Sequence, residues 1–412
     1  MPKVYIIDVT NRDGVQTSRI GLSKLEKTMV NWYLNELGVF QSEFGFPFTL
    51  HETNYLNANL ELAEMGVLSP IRLEGWCRAI TKDVELAFKL CPKIRHLNLS
   101  ISTSPLMLEL KFKGKMTIDS VIESMVKAVE AAKKFRAESI GVNAEDASRT
   151  DVADLIEFAK AAKEVGAARV RYCDTLGTDD PLTIYERMKE LAGKTKIPWE
   201  MHCHNDLGMG VACSVAGAKG IIDGGQDAYI NTTINGMGER AGNADLLSVL
   251  LALKYASGLK DKNLFPGNIN LTKIWDFAKY ASYAFGIPIP VNQVGVGDNA
   301  FAHESGIHAD GALKNRRNYE LYDYEELGRG EPELVESGRM ITVGEYSGIK
   351  GFRNVYGNLE VEFKDDKEAA EVLELVRYAN VNTQKPLTKE ELIFIAKYPE
   401  QVRQILTVQP PK

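Results

Sequence analysis

The sequence predicts an α/β fold, a (β/α)8 TIM barrel followed by a mainly helical C-terminal region. Three observations predict it. Apolar, β-rich runs of strand length alternate with longer stretches of helical periodicity, eight such runs fit in about 260 residues, and reactive residues gather at the carboxyl ends of the runs.

The first run, Val4 to Val9, precedes a helical pattern from Leu22 to Leu37. The later runs are Phe40 to Phe46, Ile71 to Ala79, Ile94 to Ile101, Ser139 to Asp146, Arg169 to Asp174, Trp199 to His204 and Ala228 to Ile234. Between and after them, Leu, Ile, Val and Ala recur at i, i+3 and i+4 in Val121 to Phe135, Val152 to Val165, Pro181 to Leu191 and Ala244 to Tyr255. An open doubly wound sheet alternates in the same way but does not require eight units. In a closed barrel the chemistry sits at the carboxyl ends of the strands, where Arg12, Asp13, Glu43, Glu145, Asp174, Thr175, His202 and His204 lie.

The pattern changes past Lys262, so residues 1–262 are expected to form the barrel. Residues 263–321 read as a helical linker subdomain, with a helix over Thr272 to Phe285. Within it, Asn299 to Tyr319 is densely polar, and a helical reading puts His303 and His308 on different faces. Residues 322–412 read as a small packing or dimerisation module with helices at Asp366 to Ala379 and Lys389 to Lys397.

Bulk properties exclude several classes. The net charge is −7, and no basic face with interleaved aromatics points to nucleic acid. No apolar run approaches the roughly 18 residues of a membrane span, so the chain is expected to be cytoplasmic. Five cysteines without CxxC spacing argue against a disulfide framework, and Cys203 reads as a buried thiol.

His202 and His204 share one face of an extended strand, so both imidazoles can reach one ion, with Asp13 supplying an oxygen ligand from a distant strand. Two His and one carboxylate leave positions open for substrate, as a catalytic site needs. The mixed N and O donors favour Mn or Mg, with Zn as an alternative. The plain alternative is two surface histidines, although the chain contains only six.

Five ordered motifs carry a resemblance. They are Asp8-x-Thr-x-Arg12-Asp13-Gly14-x-Gln16, Cys173-Asp-Thr-Leu-Gly177, His202-x-His204-Asn-Asp206, Asn235-Gly-x-Gly-Glu-Arg-Ala-Gly-Asn243 and Gly306-Ile-His308-x-Asp-Gly311. The chain resembles the isopropylmalate, citramalate and homocitrate synthases, metal-dependent aldolase-like barrels. Trp76-Cys77-Arg78 and Ala144 to Arg149 make it most similar to the nitrogenase-type homocitrate synthases. The regulatory domain that ends isopropylmalate synthases is not expected here, since about sixty residues follow Lys350.

The resemblance implies an acyltransferase that condenses acetyl-CoA with a dicarboxylic 2-oxo acid, 2-oxoglutarate giving homocitrate first. Oxaloacetate giving citrate with Re stereochemistry is the alternative, with isopropylmalate or citramalate synthesis and acyl-CoA lysis behind. It implies Asp13, His202, His204 and Asn243 at the metal, and Arg12 on the ketone oxygen. Thr175 would bind the 2-oxo acid's carboxylate, Gln16, Glu43 and Glu200 would line the substrate site, and Glu145 would line it with a catalytic part. It further implies a homodimer in which His308 and Tyr319, at i and i+11, complete the partner's active site. Position 141 is Gly where lysine-pathway homocitrate synthases place a carboxylate-binding Arg, so Arg78 is expected to hold the distal carboxylate, with Arg72 on the solvent side. Lyases of the same barrel lack the Gly306-to-Tyr319 segment, and a non-catalytic homologue would have lost part of the Arg12, Asp13, His202, His204 set.

Overall fold

Eight parallel strands close on themselves in chain order: β1 (Val4–Asp8), β2 (Gln41–Gly45), β3 (Arg72–Arg78), β4 (His96–Ser102), β5 (Ser139–Glu145), β6 (Arg169–Asp174), β7 (Trp199–Cys203) and β8 (Ala228–Thr232). Pairing of Val4 with Ala228 through Asp8 with Thr232 closes the ring. This is a computed structural model, and it describes residues 1–332 and 339–408. The eight expected runs all become strands, shortened at some ends. His204 lies one residue past β7, in an isolated bridge with Asn243.

Helices α1 (Lys24–Leu37), α2 (Thr53–Glu64), α3 (Thr81–Leu90), α4 (Pro105–Leu110), α5 (Ile118–Lys134), α6 (Val152–Val165), α7 (Pro181–Thr195), α8 (Gly210–Asp223) and α9 (Leu246–Tyr255) alternate with the strands. Local chemistry starts them. Ser23 and Glu26 form a capping box on α1, and Asp180 accepts from Leu182 and Thr183 ahead of Pro181 at the start of α7. The expected helices did not include α2, α3, α4 or α8. Helix α8 is rich in glycine, which helical propensity disfavours, yet its glycines are the reason it packs so closely. A Cβ on Gly217 would lie 2.5 Å from Met201 Cε, and one on Gly220 would overlap the Tyr185 carbonyl of α7.

The apolar core lies between sheet and helices, where Leu97, Leu99, Val142, Val170 and Met201 are all fully buried. The lumen is different. Arg169 of β6 pairs with Glu74 of β3, and Arg171 of β6 with Glu43 of β2; these strands are not neighbours, so the pairs cross the barrel interior. A charged layer thus takes the place of the branched apolar layers usual in this fold.

After the barrel come α10 (Ile274–Phe285), α11 (Gly306–Lys314), α12 (Ile349–Asn358), α13 (Asp366–Thr383), α14 (Lys389–Lys397) and α15 (Pro399–Leu406), with no strand among the described residues. Tyr33 of α1 stacks on Phe277 of α10 at 5.3 Å, and α15 packs on α2. The C-terminal helices therefore rest on the barrel's outer helices. Residues 333–338 and 409–412 of the expected C-terminal subdomain lie outside the described residues. No helix among the described residues is long and apolar enough to cross a membrane.

Candidate active site

Asp13 follows β1 in a tight turn, its N–H donating to the Val9 carbonyl at 2.8 Å. His202 is on β7 and His204 just beyond it, and their rings stand 5.0 Å apart and nearly perpendicular. One ligand atom from each of Asp13, His202 and His204 lies within 4.8 Å of the others, and all three residues are buried. The Asn243 amide donates to Asp13 Oδ1 at 2.9 Å. Its loop depends on glycine: Gly238 has φ +152°, and a Cβ there would overlap Asn243 Nδ2.

These residues fit a divalent ion. His202 Nδ1, His204 Nδ1 and Asn243 Oδ1 are buried without a hydrogen-bond partner, a costly arrangement unless something fills it. Burial, then the neighbouring His202, lowers the His204 pKa to about 4, which keeps its ring neutral, the form that can ligate a metal. Burial alone would raise Asp13, but Arg12 and His202 hold it well below the usual carboxylate range.

The ionic layer lies below. Arg12 Nε donates to Glu43 Oε1 at 2.5 Å and its Nη1 to Asp13 Oδ2 at 2.5 Å. Arg171 bridges Glu43 and Glu200, and Arg169 bridges Glu200 and Glu74. Burial opposes ionisation of Glu200, but Arg171 and Arg169 prevail and hold it at about 2. Glu74, with the same burial and two nearby carboxylates, is pushed up to about 7.

A cavity of about 340 Å³ opens above this layer. Arg12, Asp13, His202, His204, Glu145 and Thr175 line it, as expected, and so does Arg78. Glu145 is held by Ser102 and by Lys111 Nζ at 2.6 Å. Thr175 Oγ1 accepts from the Asp146 N–H at 3.0 Å.

Other expected site residues are placed differently. Glu43 and Glu200 are fully buried, arginines hold their oxygens, and neither lines the cavity, so they position Arg12 and Arg171. Gln16 is exposed and does not line the cavity. Arg78 reaches the rim, but Asp83, at the start of α3, takes its Nε and Nη2 at 2.6 and 3.0 Å, and the side chain is 57% exposed. Arg72 is exposed and packs over Phe40. His303 precedes α11, so it does not sit on a separate helix face. Its ring is 6.4 Å from both His308 and Tyr319, which stack on each other at 4.2 Å. None of these three lines this chain's own cavity.

Arg171, Lys111 and Asn143 line the cavity and were not anticipated. Alternation of Arg169-Val-Arg171-Tyr in a strand enclosed on both sides was the available signal for Arg171, since charge of period two in a barrel strand faces the lumen. Lys111 carries no such signal, because it follows the short helix α4.

The HMGL-like family profile matches residues 3–280, and that of the homocitrate synthase post-HMGL domain-like family matches residues 296–383. A citrate (Re)-synthase of Dehalococcoides mccartyi is 62% identical over 411 residues, covering 100% of this chain and 99% of its own length. The 2-isopropylmalate synthase 2 of Caldanaerobacter subterraneus is 38% identical, over 95% of this chain and 94% of its own. Homocitrate synthase 1 of a Nostoc species is 32% identical, over 96% and 98%. Among solved structures, hydroxymethylglutaryl-CoA lyase from Pseudomonas aeruginosa shares the fold, with a TM-score of 0.56 at 16% identity, covering 70% of this chain and 95% of that one. The chain belongs to the HMGL-like family, in its group of isopropylmalate and homocitrate synthases and their relatives that carry the post-HMGL domain.

Proposed function

We propose that this chain is an acyltransferase that condenses acetyl-CoA with oxaloacetate to give citrate, by addition to the Re face. The observation that carries this reading is the 62% identity along the whole chain to a citrate (Re)-synthase, against 32% to a homocitrate synthase. Oxaloacetate therefore takes precedence over 2-oxoglutarate.

Asp13, His202 and His204 would hold a divalent ion, Mn or Mg before Zn, with Asn243 beside it. When bound, the ion supplies Lewis-acid polarisation of the 2-oxo group. Arg12, fixed by Glu43 and Asp13, lines the cavity and stabilises negative charge on the ketone oxygen as the new bond forms. Thr175 and Glu145 line the same cavity and orient the 2-oxo acid. A base formed by His308 and Tyr319 takes a methyl proton from acetyl-CoA; the methyl carbon then bonds to the ketone carbon, and water cleaves the thioester to release CoA. Because these two residues stack outside the cavity, the reading requires a homodimer in which each chain completes its partner's site. Ile307, Leu313 and Leu321 stand 75%, 88% and 65% exposed around the stack, which supports a covering subunit. Five free, buried cysteines support a cytoplasmic setting.

The test is CoA release with oxaloacetate, 2-oxoglutarate, pyruvate and 2-oxoisovalerate, followed by stereochemical analysis of citrate made from labelled acetyl-CoA. Oxaloacetate is expected to be the fastest substrate, with label in the arm set by Re addition. Faster turnover of 2-oxoglutarate would restore the homocitrate reading.

A further inference from the structure

We propose that Arg171 is the specificity residue that binds the distal carboxylate of the 2-oxo acid, through its Nη1. This rests on the dicarboxylate reading above. Arg171 is fully buried on β6 and lines the cavity. Its Nε donates to Glu200 Oε1 at 2.5 Å and its Nη2 to Glu43 Oε2, which locks the guanidinium plane from two sides. Its Nη1 is buried and has no partner. An unpaired donor on a buried cation is costly, and its natural complement is an anionic oxygen entering from the cavity.

Depth agrees with this role. Arg171 is in register with Glu200, and Cys173 with His202, so the guanidinium originates one inward-facing position below the His layer, roughly 6–7 Å along the strand. A 2-oxo acid gripped at that layer by its carboxylate and ketone would extend its second carboxylate downward. Glu43 and Glu200 flank the guanidinium at that level and hold it in place.

The other cations on the cavity are engaged. Asp83 occupies Arg78 bidentately, and Lys111 is held by Glu145 and Ser102 while about half exposed. Position 141 offers no cation, and a Cβ on Gly141 would lie 2.9 Å from Asn98 Nδ2 and 3.1 Å from Arg169 Cζ, so a larger side chain there would have to displace both. Arg169 of β6 and Asn98 of β4 occupy the space beside Gly141.

The test is steady-state kinetics of metal-loaded Arg171→Lys, which keeps a cation for Glu43 and Glu200 but removes the free Nη1. The KM for oxaloacetate is expected to rise about 10- to 100-fold, with that for acetyl-CoA nearly unchanged. An unchanged oxaloacetate KM in the folded variant, or the same rise in Lys111→Met with none in Arg171→Lys, overturns the assignment. Should Arg171→Lys fail to fold, a crystal structure of the wild type with malate decides. A C4 carboxylate within hydrogen-bonding distance of Arg171 Nη1 supports the proposal, and one on Lys111 or Arg78 overturns it. Wild-type protein that turns over no dicarboxylate refutes the functional reading itself, before any variant is made.

Discussion

Asn243 donates its amide to Asp13 Oδ1 at 2.9 Å, joining residues 230 positions apart, while its own Oδ1 is buried and unpartnered. Asn243 thus orients Asp13 and offers a further oxygen at the same point. Removing it should loosen the ion without abolishing the site. Asn243→Ala is expected to weaken Mn binding to metal-free protein about 10- to 100-fold by calorimetry. His204→Ala should abolish binding while the far-ultraviolet dichroism stays unchanged. Full-affinity Mn binding in His204→Ala would remove this residue from the site.

Sharing of sites between subunits makes a quantitative prediction. His308→Ala and Arg12→Ala are each expected to be inactive. Mixed and allowed to exchange, they should form heterodimers with one intact site, restoring about a quarter of wild-type activity at equal amounts. Verified exchange without any recovery would place His308 outside the partner's site.

Glu391 of α14 accepts from the Tyr280 hydroxyl of α10 at 2.9 Å and ties these two helices together. Burial pushes its carboxyl from 4.5 up to about 7. A carboxyl raised in the folded state binds its proton more tightly there. Its contribution is full below about 4.5 and is lost as pH rises through about 7, a change on the order of 3 kcal/mol. Glu391→Gln should remove that dependence. The wild-type Tm should fall relative to the variant across this window, and parallel curves would contradict the shift.

Close packing of α7 and α8 depends on Gly220, where a Cβ would overlap the Tyr185 carbonyl. Helical propensity alone predicts that Gly220→Ala stabilises α8. The clash is expected to dominate and destabilise the protein by about 1–3 kcal/mol, read as a lower denaturation midpoint in urea. A raised midpoint would show that the helices can separate without cost.

Pattern and local chemistry by themselves determined much of this protein. Apolar, β-rich runs alternating with stretches of 3.6-residue periodicity marked all eight strands, because burial is imposed on each element separately. The i, i+2 spacing of His202 and His204 placed both rings on one face, and Asp13 at another strand's end followed from the barrel. Tertiary structure alone decided how charges divide among partners. Arg78 carried no partner in the sequence until the turn into α3 brought Asp83 against it, and the expected site residues Glu43 and Glu200 proved to be held by Arg171, which reaches Glu43 from across the lumen and Glu200 from the neighbouring strand. His303, which helical periodicity set apart from His308, joined it because the chain before α11 is not helical. Hydrophobic periodicity is a property of neighbours in sequence. An ion pair between non-adjacent strands depends on barrel closure and strand stagger, which no local window contains.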